Sequence, residues 1–300
     1  MSLKSITTFL HDPAAEQSAL EYAIQAARKW DAHLHFVIAG VNRIDPNFYY
    51  AGAQAIAIQT NFDEASSDAV KLEALVRDRL HAEDINWDVE TLSLMASGIE
   101  MFLGYHMRFF DMAILPLPYA EGRSHVDVSA FEACIFGASI PVIAVPNGFS
   151  GSAPDKHILV AWDDGPEAMS AARSARPIAG SVDLTEVCVI HPTRGGMDQS
   201  NPGERIAQFL VRSGAKVDLT VVPKMQSDVA TQLSRRANET AAELIVMGAY
   251  GHSRLHEAVL GGVTRSMLRD AAVPVLMRIK LRCEHQTKSN PRVKTGVDYV

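Results

Sequence analysis

The sequence predicts a doubly wound α/β fold stated twice: two tandem domains, each an open, twisted, parallel five-stranded sheet with helices on both faces. Three observations predict it. Short runs rich in Val, Ile and Leu alternate with Ala-rich stretches of helical period, the order of these runs recurs in the second half, and 300 residues suit two cores of ordinary size.

The elements follow in order. SITTFLHD (5–12) reads as a first strand, and AAEQSALEYAIQAARKW (14–30) as a helix in which Ala19, Tyr22, Ala23, Ala26, Ala27 and Trp30 share a face. HILVAWDD (157–164) and PEAMSAARSARPIA (166–179) repeat that pair, with Pro166 suited to a first helical turn. HLHFVIAG (33–40) answers to LTEVCVIHP (184–192), NWDVETLS (86–93) to KVDLTVVP (216–223), DMAILPLP (111–118) to ELIVMGAY (243–250), and PVIAVP (141–146) to PVLMRI (274–279). Strands this apolar, separated by helices, belong in a parallel sheet covered on both faces. The first half is longer, and the surplus falls at about residues 41–70, an insert with Phe48, Tyr49, Tyr50 and an AIAI patch, followed by a helix from about Asp63 to His81. NGFSGSAPDK (147–156) reads as a linker. The expected domains are therefore 1–148 and 155–281, with 282–300 a polar tail lacking any period.

Composition narrows the function. A net charge of −7 disfavours nucleic acid as a partner, and the basic residues Arg278, Lys280, Arg282, Lys288, Arg292 and Lys294 read as a solvated tail. Cys134, Cys188 and Cys283 are too few and too scattered for a disulfide framework or thiolate cage. With no secretory h-region and no long apolar run, the reading is a cytoplasmic protein without a membrane partner.

One segment carries chemistry. MGAYGHSRLHEAVLGGVTRSMLRDAAVPVLM (247–277) runs from the fourth strand of the second half, with glycines at 248, 251, 261 and 262 before a helix from about Val263. Glycines at a strand end permit close backbone approach to a ligand. The opening N–H groups of the helix form an anion seat, and ligands of open parallel sheets lie beyond the carboxyl ends of the strands.

This segment resembles the G-x2-G-x9-G-[S/T] signature of the universal stress protein family. Gly248, Gly251 and Gly261 match its three glycines, while Gly262 stands where the family has Ser or Thr, with Thr264 two residues on. The resemblance extends over nearly all of residues 1–280 and implies a Rossmann-like sheet of the adenine nucleotide alpha hydrolase type. It also implies a ligand, ATP or another adenine nucleotide such as AMP, with or without Mg2+. It assigns Asp163 to the adenosine moiety, Val189 or a near neighbour to the base, and Met247, Gly248, Gly251, Gly261, Gly262, Val263 and Thr264 to the adenine and phosphate surfaces. A hydroxyl on a charged phosphate contributes roughly 1.5–3 kcal/mol, so Gly262 is expected to weaken binding without abolishing it.

The first half lacks this pattern. His11 falls opposite Asp163, Pro116 opposite Gly248, and Val128 and Ser129 opposite Gly261 and Gly262. Proline removes an N–H donor, so no nucleotide is expected here. Gly122, Arg123 and Ser129 read as a solvated loop in preference to a different anion pocket, and His125 with Asp127 as an isolated pair. His252 and His256 read as surface histidines, since no third metal ligand accompanies them.

The expected function is a stress-response sensor or regulator holding an adenine nucleotide in its second half. The alternatives are a nucleotide-free protein-interaction module and, less favoured, a slow ATP hydrolase in which Asp163 and Asp164 are the acidic candidates. The resemblance implies pairing through the fifth strand, which a tandem chain achieves as an intramolecular pseudo-dimer. A homodimer of chains is expected in addition.

Overall fold

The computed structural model describes residues 3–13, 15–42, 54–190, 201–223, 228–250 and 262–280. The first half comprises β1 (Ser5–Leu10), α1 (Gln17–Trp30), β2 (His33–Asn42), α2 (Gln54–Leu80), β3 (Trp87–Met95), α3 (Ile99–His106), β4 (Met112–Pro116), α4 (His125–Glu132) and β5 (Val142–Val145). The second comprises β6 (His157–Trp162), α5 (Pro166–Ser174), α6 (Arg176–Ala179), β7 (Leu184–Ile190), α7 (Glu204–Val211), β8 (Val217–Val222), α8 (Val229–Glu239), β9 (Leu244–Gly248), α9 (Gly262–Asp270) and β10 (Val275–Arg278).

The ten strands form a single sheet in the order β3-β2-β1-β4-β5-β10-β9-β6-β7-β8. Pairing is parallel within each half, and the halves meet where β10 runs antiparallel to β5, with Leu276 opposite Ile143. The two sets of strands therefore point in opposite directions, and their carboxyl ends lie at opposite edges of the sheet.

Period-two alternation sorts the strand residues between two apolar layers. Leu34, Phe36, Ile38, Ile143, Ile158, Val160, Val246 and Leu276 enter one layer with residues of α1, α2, α5 and α7. Val37, Ala39, Val142, Leu159, Ile245, Met247 and Val275 enter the other with residues of α3, α4, α8 and α9. Each layer takes in residues of both halves, so the two repeats share their cores.

Three local expectations need correction. The stretch 166–179 is two helices, because Pro177 has no N–H to continue the ladder of α5. The helix expected from about Asp63 begins at Gln54, so the AIAI patch is helical rather than loop. The loop holding Arg123 is solvated only in part: Glu121 and Gly122 are exposed, but the Arg123 side chain is 2% exposed and lies 3.5 Å from Asp127. The aromatic residues at 48–50 and the tail from 281 lie outside the described residues.

Candidate functional site

In the second half, the carboxyl ends of β6 and β9 and the start of α9 converge on one edge of the sheet. Asp163 follows β6 and is exposed, and its Oδ1 accepts the Gly165 N–H at 2.8 Å. That bond closes the turn into α5, whose Pro166 occupies the first turn. Asp163 therefore has a structural task beside any ligand contact. Gly248 ends β9, and a β-carbon there would sit 2.4 Å from the Ala168 amide nitrogen and 2.6 Å from the Glu167 carbonyl carbon. Close packing of β9 on the opening turn of α5 thus requires glycine.

Gly262 is the first residue of α9 and is exposed, and an added β-carbon would meet nothing within 4 Å. Val263 is partly buried, while Thr264 is 5% exposed and opens the buried stripe that Met267 and Leu268 continue. The Thr264 side chain thus belongs to the inward face of the helix. Met247 is 6% exposed within the layer shared with α9. Val189 lies inside β7, paired with Trp162 on one side and Val221 on the other, and its side chain is 3% exposed. Asp163, Gly248 and Gly262 are the expected site residues left at strand ends and a helix start. Gly251, Gly261, His252 and His256 lie outside the described residues.

The first half builds a different centre at its own strand ends. His11 follows β1, Glu16 directly precedes α1, and Asp127 lies in the first turn of α4. Their side chains are 3%, 2% and 4% exposed. His11 Nε2 stands 3.3 Å from Glu16 Oε1 and 3.4 Å from Asp127 Oδ1. Glu16 Oε2 accepts the N–H groups of His11 and Asp12, each at 2.8 Å, and Asp127 Oδ2 accepts from the Ser124 amide at 2.7 Å and hydroxyl at 2.8 Å. Burial pushes the Glu16 carboxyl up to about 7, against the pull of His11 and the two amides. Burial acts on Asp127 in the same sense, but His11 and Ser124 outweigh it and hold the group at about 2.

His11 and Asp127 stand out in the sequence as separate residues, with nothing local to join them. The available signals were a Ser124-x-x-Asp127 capping box and an acidic residue just before a helix, neither of which reveals that β1 and β4 are neighbours. The thiols of Cys134 and Cys188 are buried and raised to about 12 and about 11, as expected of unreactive core cysteines. No helix among the described residues is long and apolar enough to cross a membrane.

Fold and site define a class: a doubly wound α/β protein built from two fused repeats, with different chemistry at the strand ends of each. Residues 155–278 match the model of the universal stress protein family. The chain is 25% identical to a universal stress protein of Synechocystis sp. over 178 residues, which is 56% of this chain and 57% of that relative. A universal stress protein from Archaeoglobus fulgidus superposes with a TM-score of 0.64 at 16% identity, covering 91% of this chain and 96% of the other. A putative universal stress protein from Pseudomonas aeruginosa gives 0.56 at 17% identity over 92% and 93% of the two chains. The second half is thus a domain of the universal stress protein family, and the fold of the first half repeats it.

Proposed function

We propose that the chain binds an adenine nucleotide at the carboxyl edge of its second half and acts in stress response as a sensor or regulator rather than as a metabolic enzyme. The observation that carries this reading is the exposed start of α9 at Gly262, preceded by family-spaced glycines and lying on the same sheet edge as Asp163. The first N–H groups of a helix have no intrahelical acceptor and favour an anion. Asp163 keeps Oδ2 for a sugar hydroxyl while Oδ1 holds Gly165. Titration of the full-length chain with ATP, with and without Mg2+, is expected to saturate, and Asp163→Ala to weaken binding at least about tenfold, the loss of one charge-assisted hydrogen bond. A flat titration at millimolar ATP overturns the reading.

A second reading has its own support. Gly248 is required by α5 whether or not a ligand is present, and Asp163 already closes a turn. On this reading the loop is structural and the chain is a nucleotide-free interaction module. Mass spectrometry of protein denatured straight after purification separates the two, since a co-purified adenine nucleotide supports the first. Slow hydrolysis would need a water-activating base, and unchanged turnover in Asp163→Ala and Asp164→Ala would remove both acidic candidates.

A further inference from the structure

We infer that the His11–Glu16–Asp127 centre of the first half is a site for one divalent transition-metal ion of the zinc class. The three donor atoms, His11 Nε2, Glu16 Oε1 and Asp127 Oδ1, lie within 4.8 Å of one another on side chains at least nine-tenths buried. Their spacing points to such an ion. Charge-assisted N–H···O bonds close to about 2.7–2.9 Å. Here one ring nitrogen is shared almost evenly between two carboxylate oxygens at 3.3 and 3.4 Å, both contacts longer than that range. A tetrahedral ion with bonds of about 2.0–2.2 Å holds its ligand atoms about 3.3–3.5 Å apart. The two nitrogen–oxygen separations already have that value.

The carboxylates are also held in place for ligation. Each uses its outer oxygen on donors other than the imidazole: Glu16 Oε2 on the backbone amides of His11 and Asp12, Asp127 Oδ2 on the amide and hydroxyl of Ser124. Both inner oxygens are thereby aimed at the imidazole. This is the outer support that orients metal ligands and accounts for a large part of metal affinity.

Charge and ligand chemistry point to the same class of ion. Arg123, 2% exposed, lies 3.5 Å from Asp127 Oδ1 and donates to the Asn147 side chain. One guanidinium beside two carboxylates leaves a single excess negative charge, enough to accept one dication and too little for a calcium cage of six to eight oxygens. One imidazole with two carboxylates suits zinc, cobalt or nickel better than magnesium, which prefers oxygen and keeps several waters. Three protein ligands leave a fourth position for water. The first half would thus hold a cation at the strand ends where the second half is read as holding an anion.

The test uses the full-length protein, stripped with EDTA, loaded with ZnCl2 in excess Mg2+, passed through gel filtration and measured for zinc per chain. One retained equivalent is expected in the wild type and in His33→Gln/His35→Gln, which removes a histidine pair on β2 away from the triad. His11→Gln and Asp127→Asn are expected to lose that equivalent, with affinity falling by more than the roughly 10- to 100-fold that outer-partner losses cost. No retained zinc in the wild type, or equal retention in a folded His11→Gln protein, overturns it. If circular dichroism shows both variants unfolded, the wild type loaded with Co2+ decides: a visible tetrahedral d–d band supports the site, and its absence overturns it.

Discussion

Gly262 and Gly248 belong to the same glycine-rich stretch, yet the structure gives them opposite liberties. Gly262 has open space where a side chain would go, so Gly262→Ser should fold normally and place a hydroxyl at the start of α9. If phosphate sits there, ATP should bind about 10- to 100-fold more tightly to the variant, as measured by calorimetry on the full chain. Gly248 has no such space, and Gly248→Ala must displace the backbone at Glu167–Ala168. A loss of about 1–3 kcal/mol in urea unfolding is expected, the usual cost of overpacking, whether or not a nucleotide is present. Loss of binding in Gly248→Ala is therefore weak evidence for a ligand contact, while a gain in Gly262→Ser is strong evidence.

At the scale of elements, an ionic cluster ties β6, β7 and α8 together. Glu186 on β7, its side chain 2% exposed, lies 2.8 Å from Arg236 of α8 and 3.5 Å from His157 at the start of β6. Burial raises the Glu186 carboxyl, but His157, Thr220 and Arg236 outweigh it and hold the group at about 2, below its ordinary 4.5. His157 is raised above its ordinary 6.5, chiefly by Glu186. The depressed carboxyl contributes stability that is present above pH 4.5 and is lost as pH falls toward 2. The raised imidazole contributes stability present below pH 6.5 and lost as pH rises through its folded value. Both contributions are full between pH 4.5 and 6.5. Glu186→Gln should cost about 3 kcal/mol at pH 6 and flatten both limbs of the stability–pH curve, as chemical denaturation across pH would measure.

At the scale of the molecule, the antiparallel seam between β5 and β10 decides how the repeats behave. Within the full chain each strand covers the other's open edge. A fragment of residues 151–282 would leave β10 paired with β9 alone, with Val275, Leu276 and Met277, all 0% exposed in the intact chain, brought to an open edge. An exposed apolar edge recruits another strand. That fragment should therefore sediment as a dimer under conditions where Met277→Lys disfavours association, and a monomeric fragment would contradict the role given to the seam. The tyrosine and arginine contacts beside it reinforce the joint: the Arg265 guanidinium sits 5.5 Å from the Tyr119 ring centroid, and Phe136 packs on Tyr250 at 4.6 Å.

The repeat, the type and order of the strands and helices, and the asymmetry between a glycine loop in one half and Pro116 in the other are all legible along the chain. Those features are local: period, propensity and spacing are read along the chain, and strands as apolar as Leu244–Gly248 admit few other placements. The break at Pro177 is also locally legible, but the alanine period that runs through it masks it. That the two repeats share one sheet and both apolar layers is visible only in the folded molecule, because strand pairing across the seam joins residues far apart in sequence. It alone revealed that Gly248 answers to α5, since the contact exists only once β9 lies beside β6. It alone brought His11, Glu16 and Asp127 together, because their meeting depends on β1 and β4 being neighbours in the sheet. Residue types announce what chemistry is available, whereas long-range pairing decides which of those residues meet.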